Sequence, residues 1–415
     1  MRLSTTAARR SLPAALLAGC TAALLLQPAA TATPSPAPQR HDFAGGGSTT
    51  TLPLPAGAVL APRGTEPFEL LGLGWDGPTR ALADAVVRVR TRDAATGRWS
   101  GWHRLETEAS DGPDDAAHGA TAPLWTGRSD GVAVEVRPGP AGVPPGLRLD
   151  LVDPGRGAPS TAVRTLPAEP PVEPPSGGPT TPPSVEPPKP PSGGPTTPPS
   201  VEPPSRPTAG SAGGQAPRPG IVTRAGWGAD ESLRDQEFEY TGPVREVFVH
   251  HTATATDYAC ADAPRVIRAI YVYHVKTNGW RDIGYNFLVD RCGTVYEGRA
   301  GGVDLPVHGA HTLGFNTDST GVAAIGTYDG DQPPGPLLDG LAALAAWKLG
   351  LTGQPADGRT QLTSGSDASR YPKGTVVDFD AVSGHRDGVA TECPGAALYA
   401  RLPDLRAAAA ALQTG

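Results

Sequence analysis

VREVFVH, residues 244–250, is a largely apolar stretch that reads as a β-strand, and it ends in a histidine. In α/β folds, ligands gather at the carboxyl ends of strands, so His250 stands where chemistry is expected. A second short strand, residues 382–384, delivers His385 in the same way, and Cys393 follows a few residues later. Two imidazoles and a thiolate are three protein ligands for zinc. Three ligands leave the fourth tetrahedral position open, which is the mark of a catalytic rather than a structural zinc site.

Outward from that strand the pattern alternates. Asp262 can cap a helix with Pro264 in its first turn and Gly279 past its end. Ile267, Ile270, Tyr271 and His274 fall on the i, i+3, i+4, i+7 positions of one buried face. Residues 285–290 and 294–297 read as a hairpin around Arg291-Cys292-Gly293, and residues 321–326 as a short strand. Residues 336–349 form a second helix with Leu337, Leu341, Leu344 and Trp347 inward, and a last helix follows Pro394. Interleaved strands and helices predict an α/β catalytic domain over residues 220–415, with a mixed central sheet flanked by helices.

Residues 42–166 differ. Val132, Val134 and Val136 alternate with Ala133, Glu135 and Arg137, and Val87 and Val89 with Arg88 and Arg90. Turn signals recur at Asp76-Gly77-Pro78, Thr96-Gly97 and Asp111-Gly112-Pro113. Period-two alternation with frequent breakers predicts an all-β, sandwich-like accessory domain. Trp75, Trp99, Trp102 and Trp125 fall here; they are either core residues or platforms for sugar rings. Between the two parts, residues 167–219 are a Pro-rich linker carrying PSGGPTTPPSVEPP twice, at 175–188 and 191–204. Proline at this density favours extended polyproline II, a semi-rigid spacer that can hold domains apart.

The first 32 residues read as a secretory signal: Arg9 and Arg10, an apolar run at 12–26, and the small residues Ala30-Thr31-Ala32. Leu17-Ala18-Gly19-Cys20 offers a rival lipoprotein box. No later segment approaches the roughly 20 apolar residues that span a bilayer, so a secreted, extracellular or wall-associated protein with no membrane span is expected. A net charge of −7 argues against a nucleic-acid partner. Of the four cysteines, Cys20 goes with the signal. Cys260 and Cys292 could pair, closing a loop of about 32 residues (292 − 260); such a bridge stabilises by roughly 3–4 kcal/mol. That leaves Cys393 as a zinc thiolate or as a buried inert thiol.

VFVHHTAT (247–254), GWRDIGYNFLVD (279–290), VYEGR (295–299), GAHTLGFN (309–316) and GHRD with TECPG (384–395), in that order, resemble the peptidoglycan recognition protein family. That family includes zinc-dependent N-acetylmuramoyl-L-alanine amidases, and the likeness runs over residues 221–405. The leading domain and linker look like those of secreted actinobacterial amidases, a branch that a Cys260–Cys292 disulfide also fits. The resemblance implies zinc on His250, His385 and Cys393. It implies that Tyr285 assists catalysis and that Thr391, where phage members carry lysine, contributes. It places His311 at the glycan–peptide groove, and Arg299 could pair with a stem-peptide carboxylate. His251, on the opposite side of the strand from His250, supports the site or touches substrate. The implied partner is peptidoglycan, met by a monomer.

The expected reaction is hydrolysis of the amide between the lactyl group of N-acetylmuramic acid and L-alanine. No Asp or Glu stands out as a general base. Two other readings stay open: a peptidoglycan-binding module without turnover, and an unrelated zinc peptidase, although no HExxH occurs. Animal members specific for diaminopimelate-type peptides carry Gly-Trp after YEGR; Ala300-Gly301-Gly302 stands here, so stem-peptide preference does not carry over. His274 is expected to be a core histidine, Asp282 a turn residue, and residues 363–375 part of the groove's rim.

Overall fold

The computed structural model describes residues 37–55, 58–77, 79–82, 84–107, 111–114, 118–157, 162, 164–169 and 215–415. The signal reading at 1–32 and both copies of the Pro-rich segment lie outside the described residues.

The first sheet is antiparallel throughout. Its strands are β1 (Gln39–Asp42), β2 (Ser48–Pro53), β3 (Val59–Asp76), β4 (Val86–Asp93), β5 (His103–Leu105), β6 (His118–Ala120), β7 (Leu124–Arg137) and β8 (Arg148–Asp153), in the order β1-β2-β8-β3-β7-β4-β5 with β6 on β3. Register shifts along the β3–β7 pairing mark bulges, which increase local twist. Leu52 and Leu105, from distant positions in the strand order, join Leu71, Leu73, Val87, Val89, Val132, Val134 and Val136 in one core, so the sheet curls around it. Trp75 and Trp125 are core residues. Trp102 is stacked under the guanidinium groups of Arg88 and Arg90, and Trp99 under that of Arg90.

The second sheet is mixed. It contains β9 (Thr165–Leu166), β10 (Ile221–Val222), β11 (Glu246–His251), β12 (Phe287–Val289), β13 (Val295–Glu297), β14 (Ser319–Ala324) and β17 (Val382–Gly384), in the order β17-β11-β14-β12-β13-β10-β9. The neighbours β17, β11, β14 and β12 run parallel. A separate hairpin, β15 (Arg359–Thr363) with β16 (Val376–Asp380), carries the Ser/Gly-rich stretch at its tip. The helices are α1 (Arg224–Trp227), α2 (Ala263–Lys276), α3 (Gly335–Gly350), α4 (His385–Gly388), α5 (Ala396–Tyr399) and α6 (Leu402–Thr414). Val247 and Val249 of β11 pack with Leu337, Leu341 and Leu344 of α3 and Leu405 of α6 on one face of the sheet. The opposite face is covered by α2.

A helix with one apolar stripe was expected at α2, yet Val266 to His274 are all buried. The first sheet covers the other side: Leu70, Ala120, Trp125 and Val152 share a core with Ile267, Ile270 and Tyr273. The Tyr273 hydroxyl donates to the carbonyls of Leu73 and Thr121 at 3.2 and 3.0 Å. Gly72 permits this approach, because a Cβ there would lie 2.1 Å from the Tyr273 hydroxyl. Arg148 donates to the Thr277 carbonyl, and Glu69 pairs with Arg265. The two sheets are therefore packed through α2, and the expected separation of two domains by a spacer is not what the described residues show. The chain is paired on either side of the linker and at its ends: β9, just before it, with β10, just after it, and Glu169 with Arg218 at 2.6 Å. Thus β9, from a stretch that reads as part of the all-β half, belongs to the second sheet. The disulfide joins Cys260, just before α2, to Cys292 in the β12–β13 turn, with Cα atoms 6.3 Å apart.

Glu246 opens β11 fully buried. Burial, with Asp387 and Asp380 adding repulsion, pushes its carboxyl well above the ordinary 4.5 despite Ser383 and Arg406. The fold then keeps a proton that the unfolded chain releases above pH 4.5, so this contribution to stability declines as pH rises toward the folded pKa. Glu246→Gln is expected to raise the thermal midpoint at pH 7 and to flatten its fall between pH 5 and 8. Thermal scans of both proteins across that range check it; an unchanged pH slope contradicts it.

Candidate metal centre

β11 is buried on both faces, and alternation along it puts Phe248 and His250 on one side. Phe248 packs on Phe315 and Phe379, which fixes the strand beneath His250. β17 runs beside β11, and Gly384 at its end caps α4, whose first residue is His385. The chain then returns through Thr391 to Cys393. These constraints bring His250, His385 and Cys393 together, with one ligand atom of each within 4.8 Å of the others. The two rings lie 4.3 Å apart between centroids, and Cys393 Sγ is 3.9 Å from His250 Nδ1. All three side chains are buried.

The surrounding groups aim these atoms. His250 Nε2 lies 3.3 Å from Thr312 Oγ1, which in turn is 3.0 Å from His311 Nδ1. The backbone N–H groups of His311 and Thr312 donate to Asn316 Oδ1. The backbone N–H of His251 donates to Cys393 Sγ at 3.3 Å, and that of Cys393 to Thr391 Oγ1 at 3.2 Å. Tyr285, just ahead of β12, has its ring centroid 5.4 Å from that of His250.

The first sheet also reaches this place. The Tyr285 hydroxyl donates to Asp111 Oδ2 at 2.6 Å. Asp111 Oδ1 lies 3.4 Å from His250 Nδ1 and 3.2 Å from His385 Nδ1. Glu106 Oε1 stands 3.6 Å from His251 Nε2. Two carboxylates thus enter the cavity from the accessory half, where the sequence offered Asp111 only as a turn residue. Pro113 and Gly112 beside it explain why the turn dominated that reading.

Burial lowers the His250 pKa to about 3, with His251 adding to the effect. Burial, then Asp111, raises the Tyr285 phenol well above its usual 10. The Cys393 thiol is likewise pushed well above 9 by burial and by Asp111, against the His251 N–H. A neutral His250 imidazole and the His385 imidazole, beside a thiol that burial and Asp111 keep protonated in the metal-free protein, are a donor set that suits a borderline-soft divalent ion. Asp111 Oδ1 makes the same point, being buried with no hydrogen-bond donor among the described residues. Two nitrogens and a sulfur fit zinc. The second Cys-containing cluster, Cys260, Asp290 and Cys292, has its sulfurs joined to each other and is not a comparable donor set.

The remaining expected residues divide. His251, Thr391, Tyr285 and His274 line the cavity. His274 is a core histidine as expected: its Nδ1 accepts from the Gly284 N–H and its ring stacks on Trp280. Burial lowers its pKa to about 3. His311 is fully buried behind His250, ring centroids 5.3 Å apart, and does not line the cavity; the Thr312–Asn316 network holds it inward. Arg299 lies in a separate small cleft with Arg281, Asp282, Glu239 and His308. Asp282 is structural: it accepts from Arg224 and from the Ile283 and Ala300 N–H groups. Nothing local marks Thr312 as a neighbour of His250, although it stands in the same GAHT word as His311.

With Nδ1 ligating zinc, His250 would carry its proton on Nε2 and donate it to Thr312 Oγ1, 3.3 Å away, which would set the ring's orientation and tautomer. Thr312→Val is expected to weaken zinc binding by about 10–100-fold, the range for losing such a support. Chelator competition measures this; unchanged affinity contradicts it.

Similarity to known proteins falls on both halves of the chain. Residues 27–175 match the Rv3811 N-terminal galactose-binding domain-like family, and residues 240–396 the N-acetylmuramoyl-L-alanine amidase family. A peptidoglycan recognition protein of Trichoplusia ni is 34% identical over 184 residues, covering 43% of this chain and 84% of that protein. Bovine (Bos taurus) peptidoglycan recognition protein 1 is 34% identical over 179 residues, covering 43% and 80%. The human N-acetylmuramoyl-L-alanine amidase is 36% identical over 184 residues, covering 44% of this chain and 27% of that protein. Among solved structures, wild-type Drosophila PGRP-LB is 29% identical, covers 44% of this chain and 91% of that one, and has a TM-score of 0.35. The chain belongs to the peptidoglycan recognition protein and N-acetylmuramoyl-L-alanine amidase family. It carries the amidase-type domain of that family behind an all-β galactose-binding-like domain.

Proposed function

We propose that the chain is a secreted zinc amidase that cleaves the bond between the lactyl carbonyl of N-acetylmuramic acid and L-alanine of the peptidoglycan stem. The observation that carries this reading is the convergence of His250, His385 and Cys393 beside Tyr285 in a family of peptidoglycan amidases. Several members recognise peptidoglycan without cleaving it; here the complete donor set favours turnover.

Zinc, when bound, supplies Lewis acidity toward the amide carbonyl and lowers the pKa of a bound water to about 7. The chain's own groups do the rest. His250 presents a neutral Nδ1, His385 turns its Nδ1 to the same place, and the His251 N–H supports negative charge on Cys393 Sγ. Tyr285, held protonated by its surroundings, is a donor for the oxygen that gains charge as the amide is attacked. Thr391 fixes the turn that carries the thiol, and its hydroxyl faces the same cavity. His311 and Thr312 position His250 rather than touching substrate. Export fits the disulfide between Cys260 and Cys292, because such bonds persist in oxidising compartments.

The test is product analysis. Purified sacculi treated with the zinc-loaded protein are expected to release stem peptides with a free L-alanine amino terminus. Fragments cut within the peptide would instead mean a peptidase, and binding without release a recognition module.

A further inference from the structure

Asp111 and its neighbours bear directly on the centre, and this inference rests on the zinc amidase reading. Residues 111–114, Asp-Gly-Pro-Asp, come from the accessory half, between β5 and β6, and lie across the cavity. They are fitted there at several points. Asp114 Oδ1 accepts from the Gly314 N–H at 2.7 Å and from Asn316 Nδ2 at 3.1 Å. The Gly112 carbonyl accepts from the same Asn316 amide at 3.0 Å. Gly112 itself has φ +143° and sits against Trp280, where a Cβ would meet the ring at 3.2 Å. The anchors therefore hold Asp111 in one place.

That place is informative. Zinc–nitrogen and zinc–oxygen bonds of about 2.0–2.1 Å, spread tetrahedrally, put neighbouring ligand atoms about 3.3 Å apart. Asp111 Oδ1 lies 3.4 and 3.2 Å from the two imidazole Nδ1 atoms. Its other oxygen takes the Tyr285 hydroxyl. One carboxylate thus bridges the imidazole pair and the Tyr285 hydroxyl, the space where an amide carbonyl under attack would have to sit. With the loop seated, the cavity has a volume of about 40 Å³, whereas ligand pockets run to about 300–1,000 Å³.

We infer that Asp111 is an internal fourth ligand of the zinc, supplied by the accessory domain, and that it holds the amidase centre shut until the 111–114 segment is displaced. The enzyme is then latent in its packed form. Peptidoglycan must displace the segment, or bind after it has moved, before the stem can reach the metal.

The test uses the full chain loaded with zinc, and with cobalt as a spectroscopic probe. Asp111→Ala is expected to weaken zinc binding by at least the roughly 10–100-fold seen for losing a supporting outer partner. It should alter the visible absorption of the cobalt form as a carboxylate is replaced by solvent. Peptide release at saturating zinc should rise about tenfold or more, since a centre only fractionally open works at that fraction of its rate. Asp114→Ala removes the anchor without touching the ligands; it is expected to raise release as well and guards against a folding defect in the first variant. An Asp111→Ala protein with wild-type zinc affinity and cobalt spectrum overturns the inference. So does a fall in release in both variants, which would make Asp111 a base and its loop part of the working site. Failure of the wild-type chain to bind zinc at all would instead remove the amidase reading beneath it.

Discussion

Cys393→Ala is expected to lose bound zinc on dialysis and to release no stem peptide from sacculi above background. The reasoning is local. The thiol is buried, with His250 Nδ1, the backbone of His251 and the His385 imidazole as close polar neighbours. Removing it takes away the soft thiolate and leaves the two imidazoles with at most the Asp111 carboxylate, a set that holds zinc far less tightly. The substitution also separates the two readings of this residue. An inert buried thiol would leave metal content and turnover intact and cost only packing, on the order of 1 kcal/mol for one small buried group. Circular dichroism and thermal unfolding of the metal-free proteins should therefore be nearly superimposable, with the difference confined to metal and activity. A Cys393→Ala protein that keeps full release contradicts the mechanism.

Tyr285→Phe is the second large effect. Release is expected to fall by about 10²–10³-fold, the range for removing one oxyanion donor, with zinc content unchanged. The hydroxyl is the only part removed, and the ring keeps its contacts with His250 and His274. The loss should appear in kcat more than in KM, because the donor's partner gains charge only as the bond is attacked. The variant also loses the donor to Asp111 Oδ2. If the packed form is latent, part of the loss is offset by easier opening; in the Asp111→Ala background that offset is already gone, so Tyr285→Phe should lower release there by a larger factor than it does in the unmodified chain. A Phe variant with undiminished kcat removes Tyr285 from the chemistry.

Much of the second sheet was legible because its strands and helices announce themselves locally. The apolar run into His250 and the i, i+4 stripe of α2 need no knowledge of distant residues. The zinc donors were legible for a different reason, since short words of sequence around each one carry the resemblance. What escaped was everything decided by packing between the halves. The stripe of α2 pointed to one buried face, but the first sheet covers the other, with Gly72 admitting Tyr273. Asp111 lies 139 positions from His250 (250 − 111) in a turn whose local chemistry is complete without any distant partner. Its approach to the metal ligands depends on how β3 and β8 seat against α2. Likewise, GAHT marked His311 but not which way its ring turns; Asn316 and Thr312 decide that by drawing it behind His250.

The most direct test of the account is X-ray absorption at the zinc edge of the purified full chain, combined with zinc stoichiometry. One zinc per chain is expected, with one sulfur at about 2.3 Å and two imidazole nitrogens at about 2.0–2.1 Å, and with activity lost on chelation and regained on adding zinc. A shell lacking sulfur, or metal-free protein that still cleaves the muramoyl–alanine amide, contradicts it.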